Sequence, residues 1–125
     1  CGCLRQSVNR LEYGEHSRRQ LYHNYSRDAE KRSIPFTIDY PTFCTLIAQN
    51  CYICGTQPDA VYYGSDAHGP VVYNGIDRVD NGLGYTPQNC QPCCRHCNRA
   101  KMARSWKEFI LWVVRVYHHL QLERI

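Results

Sequence analysis

The spacing of hydrophobic and polar positions changes along this chain, and each change predicts a different element. Over residues 16–32, HSRRQLYHNYSRDAEKR, the apolar positions Leu21, Tyr22 and Tyr25 form one helical stripe, with Ala29 a turn further on. The rest of that helix is polar and mostly basic. SIPFTIDYP ends it, because the residue before Pro35 is pushed out of helical geometry. PTFCTLIAQN, residues 41–50, predicts a short second helix, with Pro41 in its first turn and Phe43, Leu46 and Ile47 on one face.

Residues 56–74 are rich in Gly, Pro, Asp and Tyr and read as a long surface loop. Strand character in Val71–Tyr73 and Ile76–Val79, the turn DNGLGY and the return segment NCQPC together predict a β-hairpin over 71–92. Pro92 places the returning strand at an edge. Residues 95–104 predict a helix, and Ser105 opens the last one, with Glu108 at capping-box spacing. Phe109, Trp112, Val113, Val116 and Leu120 recur there at three and four residues, which predicts an amphipathic helix with its stripe in the core. There is no internal repeat or low-complexity tract.

With 125 residues the chain has room for one domain and a modest core. No secretory signal is recognisable, and no apolar run approaches the ~20 residues of a membrane span, so no membrane partner is expected. The opening CGCLRQSVNR is polar and lacks Met, as expected of a piece cut from a longer protein with an additional domain.

The nine cysteines change the picture most. An odd count leaves one thiol over in any disulfide scheme, and the thiols are clustered. Cys51-x-x-Cys54 and Cys94-x-x-Cys97 are pairs of the kind that grip zinc from a turn. One four-cysteine site would pin the base of the hairpin to the following helix, with no ligand position left open, so Zn2+ here is structural. Cys90-x-x-Cys93 is a third pair with the same spacing; Cys94 and Cys97 are preferred because CRHCN leads straight into a helix, while Cys90 lies inside the predicted strand. Cys1, Cys3 and Cys44 are not expected as ligands. Zinc binding implies a reducing, intracellular setting, cytoplasm or nucleus.

Charge is unevenly distributed. Residues 1–35 carry seven Lys/Arg against four Asp/Glu, residues 36–92 one against five, and residues 93–125 seven against two. An acidic centre between basic arms suits a hard-cation site between phosphate-binding surfaces, although ordinary scatter of surface charge gives the same balance.

Cys-x-x-Cys, then GIDRVDN…GYTPQN, then Cys-x-x-Cys-Asn, resembles the HNH endonucleases of the ββα-metal (His-Me finger) superfamily, most densely over residues 51–104. The preceding DAEKRSIPFTIDYPTFCTLIAQNCYICG resembles the helical lead-in of many phage and viral HNH proteins. The resemblance implies an α+β fold: a helical lead-in over 1–50, a zinc-stapled ββα-metal core over 51–104, and a C-terminal amphipathic helix over 105–125 packed on that core. It implies one-metal hydrolysis of DNA phosphodiesters, with RNA left open as a substrate, in a cell or as a viral protein inside its host. Asp77 and Asn98 then hold Mg2+ or Mn2+, and Asn89 holds the hairpin loop.

The family's general-base histidine has Arg78 in its place. An arginine stays protonated at any useful pH, so in place of a base it is expected to clamp the scissile phosphate or to offset transition-state charge. The base falls to His68, His96, Asp80 or hydroxide on the cation. Each residue also has a plain structural role: Asp77 and Asp80 as turn caps, Asn98 as a helix N-cap. His118 and His119 suit a helix C-terminus. Arg95, Arg99, Lys101 and Arg104, with Arg18, Arg19, Arg27, Lys31 and Arg32 on the first helix, are the expected nucleic-acid contacts. Trp106, Tyr22, Tyr25, Tyr62 and Tyr63 stack on bases or pack in the core. The rival to a nuclease is a zinc-ordered nucleic-acid-binding module without hydrolysis, for which Arg78 is the argument. Oligomeric state is open.

Overall fold

The computed structural model describes residues 13–64 and 69–122. Its elements in order are α1 (Glu15–Lys31), α2 (Tyr40–Ile47), β1 (Ala60–Tyr62), β2 (Val71–Tyr73), β3 (Gly75–Arg78), β4 (Cys90–Cys93), α3 (Arg95–Lys101) and α4 (Trp106–Leu120). The fold class is α+β, with two separate two-stranded antiparallel ribbons, β1–β2 and β3–β4.

α1 starts on Gly14, whose φ of 79° favours glycine; a Cβ there would come 2.9 Å from the Pro70 carbonyl oxygen. Its first turn carries Glu15, paired at 2.9 Å with both Arg18 and Arg19. Leu21 and Ala29 are buried, as the stripe requires. Ser17, one turn ahead of Leu21, is also buried: its hydroxyl donates to the Gly69 carbonyl at 2.7 Å and accepts from the Gly64 N–H at 3.1 Å. α2 is capped by Asp39, whose carboxylate accepts from the Thr42 N–H at 2.9 Å, with Pro41 in the first turn.

The core gathers Leu21, Phe43, Ile47, Val71, Ile76 and Cys90. Phe43 is at its centre, with ring contacts to Tyr22 at 5.2 Å and Tyr25 at 5.5 Å. Two-stranded ribbons are marginal alone. Here α1 and α2 cover them, and residues 35–37 run along the hairpin loop, where Thr37 and Tyr85 N–H groups make 2.8 Å bonds to the Tyr85 and Pro35 carbonyls.

The expected hairpin over 71–92 is instead split. β2 pairs with β1, so residues 60–62 form a strand within the segment expected to be loop; β3 pairs with β4, with Asp77 opposite Gln91 and Arg78 opposite Cys90. Asn74 separates the two ribbons. It is buried, its N–H donates to the Ile47 carbonyl at 2.9 Å, and its side-chain amide donates to the Gln49 carbonyl at 2.9 Å and the Thr56 carbonyl at 3.3 Å. The chain is thereby anchored to the end of α2 between strands, and β2 cannot continue into β3.

The last helix begins as expected, with Ser105 Oγ accepting from the Glu108 N–H at 3.1 Å. Its docking departs from expectation. Trp106 stacks on Tyr52 with ring centroids 5.3 Å apart, and Phe109 is buried. Beyond the second turn the stripe does not enter a core: Val113 is exposed, as are Leu111 at 60% and Leu120 at 59%. α3 and α4 are separated by only four residues, which directs α4 away from the body after its first turns.

This asymmetry predicts unequal costs of truncation. Phe43→Ala should cost about 3–5 kcal/mol in denaturant unfolding, and Val113→Ala less than about 1 kcal/mol.

Candidate functional site

Two clusters of side chains meet on the β3–β4–α3 unit. The first is made of thiols. The sulfurs of Cys51, Cys54, Cys94 and Cys97 all lie within 4.8 Å of one another. Both pairs are held by backbone: Gly55, at φ 77°, closes the first turn with a 2.9 Å bond to the Cys51 carbonyl, and Cys94 caps α3 by accepting from the Cys97 N–H. The Tyr52 N–H donates to the Pro92 carbonyl at 2.8 Å, fastening the first turn to β4.

Zinc–sulfur bonds of ~2.3 Å imply a tetrahedron with edges of ~3.8 Å, and Cys54 and Cys94 sulfurs are 3.8 Å apart. The donor set fits zinc. Burial opposes ionisation of Cys51, but backbone N–H groups of Cys54, Cys94 and Ile53 and the Cys54 thiol outweigh it and pull the thiol down to about 6. Cys90 and Cys93 are outside the set: both are buried in β4, and burial pushes the Cys90 thiol up to about 11. Cys44 lies on α2, apart from the four; Cys1 and Cys3 lie outside the described residues.

The second cluster surrounds Asp77 on β3, which is 4% exposed. Its Oδ2 accepts from the Tyr52 hydroxyl at 2.6 Å and faces the Lys101 ammonium at 3.2 Å. Burial and donation to this carboxylate hold the Tyr52 phenol well above its usual range, so Tyr52 serves as a donor. Lys101 is fully buried and also donates to the Arg78 carbonyl at 3.2 Å. It was expected on a nucleic-acid surface; its position on the inner face of α3 corrects that, because an ammonium taken out of water needs a partner, and Asp77 is that partner. Asn98, one turn before Lys101, is not the N-cap of α3, a place held by Cys94. Its side chain lines a cleft of about 470 Å³ together with Asp77, Arg78, Arg32, Asn81 and Tyr85.

The loop beside the cleft explains Arg78. Its Nη1 donates to the Asn81 carbonyl at 3.1 Å and the Leu83 carbonyl at 3.0 Å, and its guanidinium lies over the Tyr85 ring at 5.3 Å. It therefore ties the turn while lining the cleft. Asp80 does not line the cleft; its carboxylate accepts from the Gly82 N–H at 2.8 Å, the turn-capping role. Asn89 stitches across the loop: its amide donates to the Asp80 and Gly84 carbonyls, and its oxygen accepts from the Asp80 N–H, all at 3.0 Å.

His96 is exposed at the start of α3, outside the cleft lining, and His68 lies outside the described residues. Arg95 and Arg99 are exposed. Arg104 is engaged instead, donating to the Ala100 carbonyl at 2.6 Å and lying over Trp112 at 5.1 Å. On α1, Arg18 and Arg19 are held by Glu15, while Arg27, Lys31 and Arg32 are exposed. Tyr22 is a core residue, its hydroxyl bonded to the Ile38 carbonyl at 2.6 Å. Two partners of Asp77 were not anticipated as such. Lys101, expected as a nucleic-acid contact, had a legible signal for this role, the three-residue spacing that puts it on the face of Asn98. The reach of Tyr52 to Asp77, across 25 residues, had none.

The sequence matches no family model. It is 38% identical over 80 residues, 64% of this chain, to an uncharacterized protein of Acanthamoeba polyphaga mimivirus, of whose length that stretch is 13%. The structure is similar to that of the rare-cutting HNH restriction endonuclease PacI, at a TM-score of 0.55 and 23% identity, covering 83% of this chain and 81% of that one. The fold is thus that of an HNH endonuclease with a four-cysteine cluster. No helix among the described residues is long and apolar enough to cross a membrane.

The buried pair generates a test that does not depend on activity. Lys101→Met keeps the stem and removes the charge, leaving Asp77 uncompensated. Thermal unfolding of the zinc-loaded protein, with no Mg2+ added, should show a loss of about 3–5 kcal/mol. Millimolar Mg2+ should restore part of it in Lys101→Met and little in wild type.

Proposed function

We propose that this domain is a metal-dependent endonuclease that hydrolyses DNA phosphodiesters through one divalent cation held by Asp77 and Asn98, with zinc on the four cysteines as a structural staple. The observation that carries this is the shared cleft: a carboxylate from β3 and an amide from α3 line one opening, in the ββα unit of an HNH endonuclease fold. A carboxylate and an amide oxygen suit Mg2+ or Mn2+, which leave room for water and phosphate. When bound, the cation offsets charge on a phosphate oxygen and on the leaving oxygen.

The chain's own residues do the rest. Tyr52 and Lys101 take Oδ2 of Asp77 and fix the carboxylate plane, which leaves Oδ1 for the cation. Asn89 sets the loop that carries Arg78. Arg78 is held by two carbonyls on one nitrogen, which leaves its other nitrogens to donate to a phosphate in the cleft that Arg32 also lines. Arg78 is thus a clamp. Arg27, Lys31, Arg95 and Arg99 supply phosphate contacts without reading sequence. Zinc and a thiol-rich chain fit an intracellular setting.

A second reading has its own observation. Lys101 already gives Asp77 a positive partner, which suits a zinc-ordered nucleic-acid-binding module that no longer recruits a cation. Cleavage of supercoiled plasmid separates the two. Wild type should nick in Mg2+ or Mn2+ and not in EDTA, and Asp77→Ala and Asn98→Ala should each lose about 100-fold or more. Arg78→Ala should lower cleavage and weaken plasmid binding together. DNA binding without any metal-dependent nicking would establish the binding module.

A further inference from the structure

Beyond the cation cleft, a second opening of about 420 Å³ lies along α1. Its walls include Tyr62 from β1, Tyr73 from β2, Tyr85 from the hairpin loop, and Asn24, Asp28 and Arg32 from α1. It shares Arg32 and Tyr85 with the cleft that holds Asp77 and Asn98. A third opening, of about 260 Å³, shares Tyr25 and Tyr73 with it and Asn98 with the cleft. The three openings are thus neighbours with common wall residues.

The composition of this surface is unlike that of a plain core crevice. Tyr62, Tyr73 and Tyr85 pack against the core and also line the opening, with the Arg78 guanidinium over the Tyr85 ring. Tyr62 is fixed by Asn24, whose amide donates to its hydroxyl at 3.0 Å. That leaves the Asn24 carbonyl oxygen as an acceptor, beside the exposed Asp28 carboxylate and Arg32 guanidinium. Aromatic faces, two acceptors and one cationic donor are what a planar heterocycle with amino and carbonyl edges requires. A base inside a duplex offers its edges to a groove and keeps its faces stacked on its neighbours, so it cannot use such a pocket.

We infer that the tyrosine-lined opening bounded by Asn24, Tyr62, Tyr73 and Tyr85 binds one unpaired nucleobase of a DNA strand, next to the phosphate seated at Asp77 and Asn98. The inference rests on the nuclease reading for the position of that phosphate and adds a substrate class to it: the domain acts where a base is already unstacked or is readily displaced. The shared residues Arg32 and Tyr85 place base and phosphate within neighbouring nucleotides, with Arg32 at the junction.

The test is made on the zinc-loaded protein with no Mg2+ or Mn2+ added, so that binding is read without cleavage and the four-cysteine cluster keeps its metal. Affinities of wild type and Tyr62→Leu are measured for a short single strand, for the same sequence as a paired duplex and for a free deoxynucleoside monophosphate, all at one salt concentration. Wild type should favour the strand. Tyr62→Leu should lose about tenfold or more for the strand and stay within about twofold for the duplex. A wild-type protein irradiated with a strand carrying 5-iodouracil should crosslink through Tyr62, Tyr73 or Tyr85, a result that needs no variant if Tyr62→Leu fails to fold. Equal loss on strand and duplex, crosslinks confined to other residues, or monophosphate binding as tight as the strand would overturn the inference. Crosslinks to these tyrosines without plasmid nicking keep the base pocket and remove the nuclease; nicking without them does the reverse.

Discussion

The four sulfurs gathered from Cys51, Cys54, Cys94 and Cys97 are the constraint on which the site depends. The β3–β4 ribbon is four residues to a strand and cannot hold its own geometry. The thiol cluster joins the segment before it to the helix after it. Tyr52, which lies inside the first cysteine turn, bonds at one end to β4 through Pro92 and at the other to Asp77. The same turn also receives the last helix, through the stack of Trp106 on Tyr52. A loss of thiol order would therefore be felt at Asp77 through one side chain, and at α4 through the same ring.

Much of this was legible in the residues. The helices were readable because their apolar stripes and end signals agree: Leu21 with Ala29, Pro41 in a first turn, Ser105 ahead of Glu108. The choice of Cys94 and Cys97 over Cys90 and Cys93 was readable because CRHCN opens a helix, and Cys94 is its N-cap. The strand pairing was not, since it hangs on Asn74 reaching back to Gln49 and Thr56, contacts with no local pattern. Short apolar runs such as Val71–Tyr73 announce a strand without naming its partner. The last helix was misjudged for a related reason. Periodicity shows that a stripe exists, and only the three-dimensional path shows what lies beneath it.

The candidate site divides the same way. Asp77, Asn89 and Asn98 were singled out by the resemblance to HNH endonucleases, the first and last also by their spacing to the cysteines, and the structure puts Asp77 and Asn98 on one cleft and Asn89 across the loop beside it. Asp80 and Arg78 share the loop, but their hydrogen bonds assign one to the turn and the other to both turn and cleft. Basic residues were the least legible. Arg95 and Arg99 face solvent, Lys101 faces inward, and Arg104, past the end of α3, reaches back to the Ala100 carbonyl, although all four belong to one short stretch. Helical rotation separates the first three and the end of the helix the fourth, and charge counts along the chain do not record it.

Sulfur donors alone at one cluster and oxygen donors alone at the other have a consequence for which ion goes where. Affinity order among divalent ions would let zinc win at most sites of mixed donors. Here the four thiols form a closed, softer trap on the far side of Tyr52, while the carboxylate and amide of the cleft suit a hard, hydrated ion. On the proposed reading the domain would sort two metals by donor chemistry. The scarcer, tighter-binding ion would be drawn to the thiols and away from the opening, leaving that free for the abundant one.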